Sequence, residues 1–142
     1  MFISTLAAIV LLGSAVLASP IPSPDPNCST DRSILKSCKE LTLDQDGHTL
    51  KASCLDCNQA WSPTSLDLDQ VLGNDHGNFV WDQKSFSLSA RDSSLNSETA
   101  ELSANLKTGG SYDGEFEEEP EQKGTIVLAN RIQNVGGYLT FV

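Results

Sequence analysis

The stretch at residues 65–81, SLDLDQVLGNDHGNFVW, returns in altered form at residues 125–141, TIVLANRIQNVGGYLTF, and this internal repeat constrains the fold more than any other feature. Leu66, Leu68, Leu72, Asn74, Gly77, Phe79 and Trp81 fall opposite Ile126, Leu128, Ile132, Asn134, Gly137, Leu139 and Phe141. Identities are few (Leu68/Leu128, Asn74/Asn134, Gly77/Gly137), yet the apolar pairs recur where a buried face needs them, with an Asn-to-Gly turn between. The chain reads as a duplication.

Not all of the 142 residues belong to it. Residues 2–17 form an apolar run ending in the small-residue pattern Val16-Leu17-Ala18. That run is short for a bilayer span, so residues 1–18 are expected to be a signal peptide, with no membrane association after cleavage, and the mature protein is expected to be secreted and extracellular. In residues 19–33, Pro20, Pro22, Pro24 and Pro26 fix φ and remove donors, so this stretch is expected to be an extended linker or propeptide. Residues 34–142 remain as one small domain, with repeat 1 at about 34–84 and repeat 2 at about 85–142. A core of that size needs outside help, and four cysteines in a secretory chain offer disulfides.

Nine Lys and Arg against nineteen Asp and Glu give a formal charge of −10, which repels nucleic-acid phosphates and anionic lipid and excludes both as partners. The densest acidic cluster, Glu115, Glu117, Glu118, Glu119 and Glu121, lacks the spaced Asp/Asn pattern of a calcium loop and is expected to be a solvated loop. Asn27-Cys28-Ser29 is an N-x-S/T acceptor, which makes Asn27 a candidate glycosylation site.

From Ser37 the pattern becomes strand-like. Leu50, Ala52 and Cys54 alternate with Thr49, Lys51 and Ser53, and Leu41 and Leu43 lie upstream beyond a turn at residues 44–47. This hairpin also recurs: Ser89-Ala90-Arg91-Asp92 aligns with Ser37-Cys38-Lys39-Glu40, Leu95 with Leu43, Leu102 with Leu50, and Ala104 with Ala52. In the second copy Cys38 becomes Ala90 and Cys54 becomes Leu106, a small residue beside a large one in much of the space of a cystine. That correspondence supports Cys38–Cys54 as a pair and leaves Cys28 and Cys57 to each other. The alternative, a redox motif in Cys54-Leu55-Asp56-Cys57, wants a βαβ context and a helix start that the sequence does not show. Residues 58–64 and 109–124 read as connectors, the second longer and acidic; Leu68, Val71 and Leu72 are spaced for one helical turn, Phe79 and Trp81 for a strand.

Together these features resemble the cyanovirin-N homology family, small lectins built from two tandem repeats. The resemblance is carried by Ser37-Cys38, residues 50–54 and 65–69, Asn74 with Gly77 and Trp81, Phe86 with Ser89, Leu102 with Ala104, and residues 134–137, and it spans residues 34–142. It implies an all-β, pseudo-symmetric tandem-repeat cyanovirin-N-like fold with triple-stranded sheets, β-hairpins and short helical turns, each repeat completing the other's half. It also implies up to two shallow glycan sites, one at each end, for mannose-type oligosaccharides or the glycans of glycoproteins, without catalysis, metal or cofactor, on a monomer or a domain-swapped dimer. Carried over, one carbohydrate-binding site comprises Asn74, Ser85, Ser89, Lys107 and Thr108; the other keeps Ser37 and Asn134, with Lys36 and Asp56 beside them. Gly73 and Leu55 stand where the family pattern places acidic side chains, Cys57 where it places a hydroxyl, and the acidic insertion begins directly after Thr108. Binding is therefore expected at the first end.

Purely structural roles compete with these. Asn74 and Asn134 precede glycine, where Asn serves left-handed backbone geometry, and Ser89 and Lys107 suit an outward-facing strand surface. His48 and His76 have too little sequence support for a metal or acid/base site, and Asp67 and Asp69, flanking Leu68, do not make a glycosidase pair. No enzyme activity is expected; the alternative to a lectin is a secreted structural or effector protein that keeps the fold without glycan binding.

Overall fold

A computed structural model describes Cys28, residues 31–109 and residues 120–142. The run expected to be a signal peptide, the prolines of the expected linker or propeptide, Asn27 and the cluster at residues 115–119 lie outside the described residues. A single helical turn, α1 (Ile34–Ser37), leads into β1 (Cys38–Leu43), β2 (Thr49–Leu55) and β3 (Trp61–Asp67), an antiparallel sheet in that order. A 3₁₀ turn at Leu68–Gln70 then precedes the hairpin β4 (Leu72–Asp75) and β5 (Asn78–Trp81). The second half repeats the series: a 3₁₀ turn at Phe86–Ser89, the sheet β6 (Ala90–Asn96), β7 (Glu101–Lys107) and β8 (Glu121–Val127), a 3₁₀ turn at Leu128–Asn130, and the hairpin β9 (Ile132–Val135) and β10 (Tyr138–Phe141).

Period-two alternation explains the sheets. β2 buries Leu50, Ala52 and Cys54, and β7 buries Leu102, Ala104 and Leu106, while the residues between them face outward. Cys38 pairs with Cys54 in the first sheet where Ala90 pairs with Leu106 in the second. Both sheets carry a bulge at one place, with Glu40 at φ 55° and Asp92 at φ 53°, so the duplication preserved even a backbone irregularity.

Two stretches read as connectors are partly strand. Residues 61–64 belong to β3 and residues 121–124 to β8. Both are edge strands paired on one side only, which is how Pro63 is accommodated opposite Ser53. Polar sequence hid them, because an edge strand with one solvated face has little apolar pattern to show.

The halves exchange their hairpins. β10 packs on β3 of the first sheet, and β5 packs on β8 of the second. Trp81 and Phe141, equivalent positions of the two repeats, meet with ring centroids 5.7 Å apart, so the pseudo-symmetric halves join there. One core results, drawing Ile34, Leu41, Leu50, Leu68 and Leu72 from the first repeat and Phe86, Leu102, Leu128, Ile132 and Leu139 from the second.

Both expected disulfides are present, Cys38–Cys54 across the first sheet and Cys28–Cys57 holding the N-terminal arm. The first closes a separation of 16 residues, which in the chain-entropy account stabilises by about 3 kcal/mol. Cys38→Ala with Cys54→Leu copies the second sheet and should lose little beyond the crosslink. Cys38→Ala with Cys54→Ala should lose a further ~2 kcal/mol for the cavity. Urea midpoints compare the two directly; equal midpoints would mean that Leu106 is not the packing substitute for the cystine.

Candidate functional site

Each hairpin turn is seated by one asparagine. At the first end Asn74, on β4, donates through Nδ2 to Ser89 Oγ (2.8 Å) and to the Lys107 carbonyl (3.0 Å), and its Oδ1 accepts from Gly77 N–H (2.9 Å). At the second end Asn134, on β9, donates to Ser37 Oγ (3.0 Å) and the Leu55 carbonyl (3.0 Å) and accepts from Gly137 N–H (2.8 Å). The acceptors of both amides lie in the opposite repeat, so each asparagine ties its own hairpin to the other half.

The Asn-before-glycine pattern predicts left-handed backbone at these asparagines, and the structure places that geometry elsewhere. His76 (φ 51°) with Gly77 (φ 88°), and Gly136 (φ 62°) with Gly137 (φ 97°), form the two-residue turns, both at positive φ as a type I′ hairpin requires. The asparagines sit in the strands and act through their amides. Glycine is needed at Gly77 for space as well, since a Cβ there would lie 2.6 Å from Gln122 Cγ.

The ends differ in what remains at the surface. Asn134 and Ser37 are fully buried, Ser37 also donating to the Ser33 carbonyl (2.8 Å). Around them the Asp56-Cys57 turn abuts Gly136 and Gly137, and Asp56 accepts from the amides of Asn58 and Ala60. Lys36 lies outside, 3.8 Å from Asp31. The arm tied down by Cys28–Cys57 pairs with the hairpin through Ser33 opposite Gln133, and Asn134 N–H donates to the Arg32 carbonyl.

At the first end Asn74 meets the Ser89 hydroxyl and the Lys107 main chain, and Asn74 is half-buried. Thr108 is half-buried, its hydroxyl and amide both donating to the Pro120 carbonyl (3.0 Å each). Ser85 holds φ 63° and donates its N–H to the Asp69 carbonyl (2.8 Å). Two residues that sequence reasoning does not place here join the rim. The His76 ring lies against Gly109, where a Cβ would stand 2.9 Å from it, and Leu88, between Ser85 and Ser89 in sequence, is 83% exposed. The position of His76 in the turn aligned with residues 136–137 was the available signal.

Behind this end lies a cluster that the sequence pattern does not reveal. His48 Nδ1 stands 2.9 Å from Asp67 and 3.7 Å from Asp69, with Nε2 3.7 Å from Asp46. The Asp67 hydrogen bond, aided by the charges of Asp69 and Asp46, raises the His48 pKa above the ordinary 6.5. The Thr49 hydroxyl and then the His48 N–H pull Asp46 down to about 2. The folded imidazole keeps its proton to higher pH than the unfolded chain, so its stabilisation is full below the ordinary value and is lost as pH rises through the raised one. Denaturation midpoints should fall between about pH 6 and about pH 8. His48→Ala should flatten that slope; an unchanged slope would assign it to another group.

Two triple-stranded sheets, each packed against the hairpin of the other repeat, define a two-repeat all-β module. A family model, the CVNH domain, matches residues 35–140, and the chain belongs to the cyanovirin-N homology family. It is 36% identical to the cyanovirin-N homolog of Tuber borchii over 105 residues, 74% of this chain and 94% of that one. The solved structure of the T. borchii protein superposes with a TM-score of 0.62 at 37% identity, covering 78% of this chain and 99% of that one. Two remoter structures share the fold. Microvirin, solved with mannobiose, is 23% identical (TM-score 0.63, 79% of this chain and 100% of that one), and a MoCVNH3 variant, solved with (N-GlcNAc)4, is 21% identical (TM-score 0.63, 82% and 99%).

Proposed function

We propose that the mature protein is a secreted lectin that binds a neutral, mannose-containing oligosaccharide at the end formed by the His76-Gly77 turn, residues 85–89 and Lys107-Thr108. The observation that carries this choice is the contrast in exposure: Ser37 and Asn134 are buried at the second end, whereas Ser85 and His76 are exposed and Thr108 is half-buried at the first. Sugar hydroxyls both donate and accept; at this rim the Ser85 hydroxyl can do both, the Thr108 hydroxyl, its proton given to the Pro120 carbonyl, can accept, and the Lys107 ammonium can only donate, with the Leu88 side chain as apolar surface. Relatives solved with mannobiose and with (N-GlcNAc)4 support carbohydrate as the ligand class. The apolar run at residues 2–17 supports secretion.

Asn74 is a poor residue for testing the site, because its amide is spent on seating the turn. Lys107→Ala with Thr108→Ala alters the rim instead. Calorimetry with a mannose-rich glycan should show binding by the wild type and a loss of about tenfold or more in the double variant, at about 1 kcal/mol net per hydrogen bond. Absence of heat with the wild type, for this glycan and for a GlcNAc tetramer, sinks the lectin reading in favour of a structural or effector protein. Unchanged affinity in the double variant sinks the site.

A further inference from the structure

The two ends are backed by different chemistry in equivalent places. His48, Asp67 and Asp69 of the first repeat correspond to Ala100, Val127 and Ala129 of the second. Both versions support one backbone arrangement: Leu68 N–H donates to the His48 carbonyl and Leu128 N–H to the Ala100 carbonyl, each at 2.8 Å, and each leads into a 3₁₀ turn. Three apolar residues therefore suffice for the fold, and ionisable groups in that place carry a desolvation cost that packing does not require.

What the polar version adds is a connection. Asp69 faces His48 on one side, and on the other accepts from Ser87 N–H (3.0 Å) and from the Ser87 hydroxyl, while its carbonyl accepts from Ser85 N–H (2.8 Å). Ser85 opens the segment that ends at Ser89, whose hydroxyl accepts from Asn74. Ser85 is held at φ 63°, a left-handed conformation that a non-glycine residue keeps only where surroundings impose it; its N–H is held by the main-chain carbonyl of residue 69, whatever the side chain there, and the Asp69 carboxylate reaches the same segment two residues on, at Ser87. A chain of hydrogen bonds thus runs from the β1–β2 turn to the rim proposed to bind sugar. The carboxylates are engaged within the protein, Asp67 by Asp69 N–H and Asp69 by Ser87, so the cluster is explained without a cation.

We propose that Asp69 is a positioning residue for the first end, holding residues 85–89 in their binding geometry, and that His48 sets the strength of that hold according to its protonation. This rests on the lectin reading of the same end. The charged groups facing His48 are Asp46 from the β1–β2 turn, Asp67 from β3 and Asp69 from the following 3₁₀ turn; Ser87 is the facing residue from the second repeat and carries no charge. With His48 protonated, the imidazolium offsets the mutual repulsion of the three carboxylates and keeps Asp69 on Ser87. With His48 neutral, that repulsion works against the contact.

Two measurements on the full mature chain test it. In the free protein, the amide NMR shifts of Ser85, Ser87 and Ser89 should follow the titration of the His48 ring in the wild type and cease to do so in Asp69→Asn, which keeps an acceptor for Ser87 N–H but not the charge. Amides indifferent to His48 overturn the proposal whatever any sugar does. Mannobiose affinity should be about two- to fivefold higher at about pH 5 than at about pH 8, the range of a partly exposed ion pair. His48→Ala and Asp69→Asn should abolish that ratio, and Asp69→Ala, which copies Ala129 of the second repeat, should weaken binding at both values. A ratio that survives in these variants overturns the proposal, and mannobiose binding with no pH dependence does so as well. Titrating amides with no binding of mannobiose or a GlcNAc tetramer overturn the lectin reading and, with it, a role in binding, while leaving the His48 to Ser87 coupling measured.

Discussion

Expressed alone, residues 34–84 should be unfolded, with a collapsed amide NMR spectrum and no cooperative thermal transition. The fragment retains β1–β3 and the β4–β5 hairpin, but the hairpin packs on β8, and the first sheet is covered by β10. Asn74 would lose Ser89 and Lys107, and the Gly77 carbonyl would lose the Gln122 amide (2.9 Å). Phe79 would lose the edge of Phe86 at 5.4 Å, and Trp81 would lose Phe141. Each apolar side chain returned to water costs about 2 kcal/mol, which a chain of this length cannot offset, and a lone two-stranded hairpin is marginal in water. A well-dispersed spectrum from the fragment would mean that the repeats fold independently and that the exchanged hairpins are docked rather than obligatory.

Asn134→Ala should be among the most destabilising single substitutions in the domain, by about 3–5 kcal/mol, because it strips partners from buried polar groups. The Leu55 carbonyl and Gly137 N–H lose their bonds to a side chain with no solvent exposure. Asn74→Ala removes an equivalent set of contacts at a half-buried site, where water can replace the lost partners, and should cost only about 1–2 kcal/mol. Guanidinium denaturation of the two variants measures the difference. Equal losses would show that the hairpin contacts, and not burial, set the energy.

The repeat alignment made much of this legible. Once Cys38 and Cys54 are set against Ala90 and Leu106, the pairing across β1 and β2 follows, and the structure has the same register in both sheets. The third strand of each sheet was not legible in its own residues: around Pro63 and Gly124 an edge strand with one wet face carries no apolar alternation. The cluster at His48 escaped for a different reason. His48 is 19 residues from Asp67, and only the path of β2 against β3, which sets Thr49 opposite Asp67, brings them together.

Sequence by itself determined the duplication, the alternating core faces, the cysteine pairing and the family, because all of these are written in local period or in the correspondence of one repeat with the other. Tertiary structure alone decided which polar residues are available to a ligand. Asn74 and Asn134 are the same residue in the same motif, yet one is half-buried and the other fully buried. The physical reason is that exposure belongs to what packs around a residue. At Asn134 that is an arm held by Cys28–Cys57 and the Asp56-Cys57 turn; at Asn74 it is the half-open junction of His76, Gly109 and residues 85–89. Neither arrangement can be read from the motif that the two ends share.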